Sequence, residues 1–108
     1  MDRVIDDLAA ILQREVAGFH GAAYNASTYY LDDPNAKVYV VLIVTDDAYP
    51  LPDTPHAQVM VMARIQNDQI IIEEDITDKP LYDALIAAQV SPERIVRRYL
   101  GEKAPTSG

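Results

Sequence analysis

The sequence predicts an α+β protein in which one long helix precedes a cluster of strands and two short helices follow it. Apolar residues recur at helical spacing near the start of the chain, whereas β-branched and alternating runs fill its middle. Because strands joined by short turns pair as neighbours, we expect a four-stranded antiparallel meander. The 108 residues suit one domain, which we place at 1–103, with a frayed tail at 104–108.

The first helix is predicted over residues 3–17. Gly18 and Gly21 offer a stop after it, and Asp2 can cap its start. Its apolar residues form a stripe wide enough to lie on a sheet. They are Val4, Ile5, Leu8, Ile11, Leu12 and Val16.

Two strands are predicted next, joined by a turn. Tyrosine and threonine favour a strand within residues 22–31, and Asp32-Asp33-Pro34-Asn35 is typical of a turn. The run from Val38 to Val44 is apolar throughout and suits a central strand. Three prolines and three acidic residues between Asp46 and His56 then indicate a surface loop.

A hairpin follows, in which residues 58–65 alternate between two faces. Val59, Val61 and Ala63 point one way, whereas Met60 and Met62 point the other way. Asn67-Asp68 can form the tight turn that leads to the return strand at residues 70–73. An exposed methionine face favours a protein partner, so we expect Met60 and Met62 to bind protein and the chain to form a homo-oligomer.

A second helix is predicted to start near Lys79, capped by Thr77 or Asp78. We expect Asp75 and Thr77 to form a structural cap, because either side chain can accept hydrogen bonds from the free N–H groups of that helix.

A third, short helix is predicted over residues 92–99, begun by Ser91-Pro92. On such a helix Arg94 and Arg98 share a face, with Arg97 beside them. We expect these three guanidinium groups to bind carboxylates of a protein partner.

The charge of the chain opposes nucleic-acid binding, because the sequence contains 17 acidic and 9 basic residues and has a net charge of −8. We therefore expect no direct contact with nucleic acid. The longest apolar run has seven residues, so we expect no membrane span. The chain has no cysteine, its two histidines lack a metal-ligand motif, and it has no nucleotide-binding or nucleophile motif. We expect no cofactor, no metal and no catalysis.

One alternative is a metal-dependent hydrolase or nuclease, because acidic residues follow two of the predicted strands and could hold a divalent cation. These residues are Asp46, Asp47, Glu73, Asp75 and Asp78. The sequence has no Asp/Glu-x-Lys triplet, which the common restriction-type nuclease core requires. Another alternative is a purely oligomeric or small-ligand-binding domain.

Residues 57–102 resemble the XisI-like family, the excision controlling factors of the fdxN DNA element. The family pattern is a hairpin closed by Asp-Gly, a strand, an Asp-x-Thr element, a helix and a short Ile-Val helix. This chain carries Asp75-Ile76-Thr77 and Ile95-Val96 at the corresponding places. Asp68 and Gln89 stand where the family usually has glycines, which marks a divergent member.

The resemblance implies an XisI-like α+β fold and a small, cytoplasmic regulatory protein that is not an enzyme. It also implies a companion of the XisH type, which is nuclease-like and usually encoded beside the XisI-like protein. The family supplies no agreed catalytic residue.

Overall fold

The computed structural model describes residues 8–21, 26–45 and 56–103. In these residues two helices pack on one five-stranded sheet. The elements in chain order are helix α1 (Leu8–Ala17), strands β1 (Ala26–Asp33), β2 (Val38–Thr45), β3 (Ala57–Gln66) and β4 (Gln69–Asp75), helix α2 (Leu81–Ala87) and strand β5 (Ile95–Arg97). Short 3₁₀ turns at Pro92–Arg94 and Arg98–Leu100 flank β5.

The first four strands form the expected antiparallel meander, and the α+β class is confirmed. The prediction of only four strands is wrong. Strand β5 adds to the far edge of β4 in parallel, so the sheet is mixed and has the order β1-β2-β3-β4-β5. Parallel neighbours need a crossover connection, and here α2 lies in it.

The predicted third helix at 92–99 is also wrong, because its centre is β5. Ile95 and Val96 are both nearly fully buried, and Val96 lies beside Ile71 of β4. Two adjacent β-branched residues fit a helix and a strand equally well at this length, since periodicity needs more residues to distinguish them. The crossover through α2 brings Ile95–Arg97 beside β4, and pairing with β4 makes these residues a strand.

The hairpin turn at Asn67-Asp68 is confirmed. Both residues have positive φ, 54° and 61°, as a primed two-residue turn requires. The earlier turn differs from expectation, since Asp32 and Asp33 end β1 and the turn itself spans residues 34–37.

The core lies between the two helices and one face of the sheet. The apolar stripe predicted for the first helix is confirmed from Leu8 onward, and the residues before Leu8 lie outside the described part of the chain. Predicted loop residues Asp46–Pro55 and tail residues 104–108 lie outside it too. The buried side chains of this core include Leu8, Leu12 and Val16 of α1, Leu81 and Leu85 of α2, and Tyr39, Val41, Val61, Ala63, Ile70, Ile72 and Ile95 of the sheet.

Two bulges shift which residues face this core. Between β2 and β3 the register passes from Val41–Val61 to Leu42–Val59, which leaves Met60 without an opposite residue. Met60 packs against the core, whereas Met62 lies on the opposite face, between the buried Val61 and Ala63. The prediction that both methionines share one outward face is therefore wrong.

The second bulge lies between β3 and β4 and leaves Glu73 without an opposite residue. It places Asp75 opposite Val61, whose side chain is in the core under α1. Asp75 therefore reaches the face of the sheet that carries the helices. Without the extra residue, strand alternation would turn it to the other face.

Among the described helices, none combines the length and the apolar character that crossing a bilayer requires.

Candidate protein-binding site

The carboxylate of Asp75 joins the end of β4 to the start of α2. One oxygen, Oδ2, accepts the backbone N–H of Leu81 at 2.7 Å, which satisfies one free N–H in the first turn of α2. The other, Oδ1, accepts the Thr77 hydroxyl at 2.6 Å and the Thr77 N–H at 2.9 Å. Thr77 thus orients the carboxylate, and Asp75 contacts the helix.

The acidic residues of the metal-site alternative do not come together in the described part of the chain. Glu73 pairs with Arg64 at 2.8 Å and with Arg98 at 3.2 Å. Asp75 is bound to Thr77 and Leu81. Asp46 and Asp47 lie outside the described residues. Within residues 8–21, 26–45 and 56–103 no group of three His, Cys, Asp or Glu side chains could hold a metal ion.

The three arginines of the predicted basic site lie near one edge of the sheet but not on one helix. Arg94 ends a 3₁₀ turn, Arg97 ends β5, and Arg98 starts the next turn. The prediction that Arg94 and Arg98 share one face of a helix is therefore wrong. Each guanidinium group instead contacts a different part of the protein.

Arg94 donates from Nε and Nη2 to the carbonyl oxygen of Asp68, at 3.0 and 2.9 Å. This contact fastens the hairpin turn to the segment before β5. Arg98 reaches Glu73, and its side chain is 52% exposed. It therefore keeps more free surface than Arg97, which is 31% exposed.

Arg97 binds Glu102 and an aromatic ring. Its Nη2 donates to Glu102 Oε2 at 2.8 Å, and its backbone N–H donates to Oε1 at 2.8 Å. These hydrogen bonds to Arg97 lower the pKa of the Glu102 carboxyl. The guanidinium carbon lies 4.1 Å from the ring centre of Tyr82 in α2, within cation–π distance.

An acidic groove that the sequence analysis missed lies between the end of α1 and the start of α2. Its volume is about 510 Å³, and the acidic residues Glu15, Asp78 and Asp83 line it with a single lysine, Lys79. The carboxylate of Glu15 also pairs with Arg14, at 3.0 Å. Phe19 and the residues Gly18, Pro80 and Ala84 complete its wall. Glu15 and Asp83 are far apart in sequence, so only the packing of α1 beside α2 brings them together.

Gly18 lines the groove just after the end of α1. A Cβ atom there would lie 3.3 Å from the carbonyl oxygen of Glu15, closer than most side chains tolerate. The groove joins three carboxylates to an aromatic ring. A lysine or arginine of another protein suits such a site, since its apolar stem packs on the ring while its charge meets carboxylates.

Comparison with known proteins identifies the fold. No protein-family model matches the sequence, and no curated protein matches it significantly. Among solved structures, a XisI-like protein from Anabaena variabilis matches 88% of this chain and 83% of its own, with a TM-score of 0.61 and 14% identity. The fdxN element excision controlling factor XisI from the same organism matches 89% of this chain and 83% of its own, with a TM-score of 0.59 and 18% identity. The chain therefore has the fold of the XisI-like proteins and is a divergent sequence on that fold.

Proposed function

We propose that this chain is a non-catalytic regulatory protein of the excision-control type, which acts by binding a nuclease-like companion of the XisH type. The observation that carries the proposal is the likeness in fold to an excision controlling factor over 89% of the chain. The two similar structures are each covered over 83% of their length, so the likeness extends through most of a complete protein of that kind.

Charge supports a basic protein as the partner. The chain carries a net charge of −8, and its groove between α1 and α2 has three carboxylates for one lysine. A nuclease-like protein needs a positively charged surface to approach phosphates. An acidic regulator can attract that same surface and compete with DNA for it.

The groove is our proposed primary contact. Two of its acidic residues, Glu15 and Asp83, come from helices that share one buried core, which fixes their separation, and Asp78 lies in the segment before α2. Arg98 is a second candidate contact, because its side chain is half exposed beside the Arg64–Glu73 pair. Arg94 and Arg97 contribute mainly by holding the hairpin and the C-terminal segment in place.

The experiment is co-expression of the tagged chain with the product of its neighbouring gene. We expect a stable complex in size-exclusion chromatography, and its affinity should fall steeply with added salt. Reversing two groove charges, Glu15→Lys with Asp83→Lys, should weaken binding at least tenfold. The variant Glu93→Lys is the matched control, since Glu93 is exposed and lies outside the groove residues.

Two results would reject this function. One is the absence of any complex with the neighbouring product in both orders of purification. The other is divalent-metal binding by calorimetry together with hydrolysis of DNA by the pure chain. If the complex forms with unchanged affinity when both groove residues are substituted, the groove is not the contact, but the proposed regulatory function is still supported.

A further inference from the structure

The face of the sheet that lies away from α1 and α2 is apolar over β1, β2 and β3. Tyr30 of β1 packs on the core, so its neighbours Tyr29 and Leu31 lie on this outer face. They are 51% and 54% exposed, among the most exposed large hydrophobic side chains in the described residues. Cross-strand register places apolar residues beside them, namely Val38, Val40, Leu42, Val59 and Met62.

We infer that this outer face is the contact between two copies of the chain. The inference is independent of the proposed companion, because the acidic groove is lined by residues on the helix side of the sheet. Within the described residues both helices pack on that other side. The outer face therefore offers a contiguous apolar patch, which a soluble protein rarely leaves in water.

The charges around this patch are arranged for self-pairing. One row of register crosses all five strands and runs through Asp33, Val38, Arg64, Ile71 and Val96. It has an acidic residue at the β1 end and a basic residue near the β4 end, and Arg98 reaches the same place through Glu73.

A two-fold axis parallel to the strands, between β2 and β3, turns these charges toward each other. Such an axis lays β1 of each copy over β4 of the other. Asp33 of one copy then approaches the Arg64–Glu73–Arg98 cluster of its partner, twice in the dimer, and Val40 of one copy meets Met62 of the other at the centre. The central residues Val40 and Met62 are uncharged, whereas Leu31 of each copy lies at the rim, near Glu74 of the other copy, where the carboxylate stays in contact with water.

The size of the patch predicts a weak dimer. The four strands that this axis overlays, spaced about 4.8 Å apart and eight residues long, project roughly 500 Å² per copy, hence about 1,000 Å² for two. This is below the roughly 1,200 Å² of standard stable interfaces, so we expect dissociation in the micromolar range.

Sedimentation velocity over a wide concentration series tests the inference. We expect a reversible monomer–dimer equilibrium in the wild-type chain. Leu31→Asp should weaken dimerisation more than tenfold, and Tyr29→Lys should weaken it as well. Leu100→Asp is the matched control, because Leu100 is 60% exposed but follows β5 at the opposite edge of the sheet.

A charge test separates this geometry from non-specific sticking. Asp33→Asn keeps the Oδ1 acceptor that binds the turn N–H groups of Asn35 and Ala36, but it removes the charge. We expect it to weaken the dimer several-fold at low salt and little at high salt. A strict monomer at high micromolar concentration overturns the inference. A dimer that Leu31→Asp and Tyr29→Lys leave unchanged, or that Leu100→Asp abolishes equally, overturns it too.

Discussion

Asp75 is the residue on which the junction between sheet and helix depends. Its carboxylate accepts hydrogen bonds from Leu81 in α2 and from Thr77 in the connecting segment. The β3–β4 bulge turns it toward the helices, so a local irregularity of the strand determines where α2 begins.

We expect Asp75→Ala to cost about 2–3 kcal/mol of unfolding free energy, because it leaves the N–H groups of Leu81 and Thr77 without their acceptor. Thr77→Ala should cost about 1 kcal/mol, as loss of a cap does. Urea denaturation measures both. Since Thr77 acts by orienting Asp75, adding Thr77→Ala to Asp75→Ala should cost little more.

Asp78→Asn is the control for this comparison of the single and double variants of Asp75 and Thr77. Asp78 is exposed, and the substitution should change stability by less than about 0.5 kcal/mol. If Thr77→Ala keeps full stability and loses companion binding instead, the structural assignment of Asp75 and Thr77 fails.

Tyr30 gives the protein a specific sensitivity to alkaline pH. Burial, followed by its hydrogen bond to Asp32 at 2.9 Å, raises the pKa of the Tyr30 phenol to about 12. The folded state thus favours the neutral phenol. The contribution of this group to stability is complete below the unfolded pKa of about 10 and is lost as pH rises from there to about 12.

We therefore expect the wild-type chain to lose stability more steeply than Tyr30→Phe between about pH 10 and about 12. Thermal unfolding across that range is the measurement. Parallel curves for wild type and Tyr30→Phe would contradict the assignment.

At the scale of elements, three connections hold non-glycine residues in a backbone conformation that glycine prefers, and one of them is the β1–β2 turn, where Lys37 has φ of 58°. Asp68 closes the β3–β4 hairpin with φ of 61°, and Gln89 follows α2 with φ of 77°. Both are positions where the resemblance to XisI-like proteins indicates a glycine. The strain at each is of order 1 kcal/mol. The contact of Arg94 with the Asp68 carbonyl offsets part of it at the hairpin.

Glycine at either position should stabilise the fold. We expect Asp68→Gly and Gln89→Gly each to add about 0.5–1 kcal/mol, and the two to be additive because they lie in separate connections. Gly21, with open space around its Cβ position and no positive φ, provides the opposite control. Gly21→Ala should not destabilise the protein, and chemical denaturation compares all three. Loss of stability in both glycine variants would contradict this account.

For the molecule as a whole, the net charge of −8 predicts that the pure chain does not bind duplex DNA. When Arg94, Arg97 and Arg98 are replaced with glutamine, binding to duplex DNA should remain undetectable. We expect the same triple variant to bind the companion, or a second copy of the chain, more weakly. Because Arg94 and Arg97 hold local contacts, the single variant Arg98→Gln is needed beside the triple one. Fluorescence anisotropy with labelled duplex is the measurement. Tight, salt-sensitive DNA binding that the triple variant abolishes would contradict this prediction and favour direct DNA contact.

The sequence by itself determined the class, the meander and the hairpin. These rest on local physics: helical spacing in α1, alternation in β3, and two residues that tolerate positive φ at Asn67-Asp68. The resemblance to XisI-like proteins came from residues of the hairpin and the Asp75-x-Thr77 junction, and comparison with solved structures agrees with it at the level of the fold.

Only the tertiary structure decided β5, the separation of the two methionines and the acidic groove. Three residues are too few for periodicity to assign, so Ile95–Arg97 became a strand because the crossover through α2 placed it beside β4. A bulge in β3 places Met60 against the core, and no pattern in the sequence predicts that bulge. Glu15 and Asp83 meet across α1 and α2 because those helices bury their apolar faces on the same sheet, a pairing that depends on contacts distant in sequence.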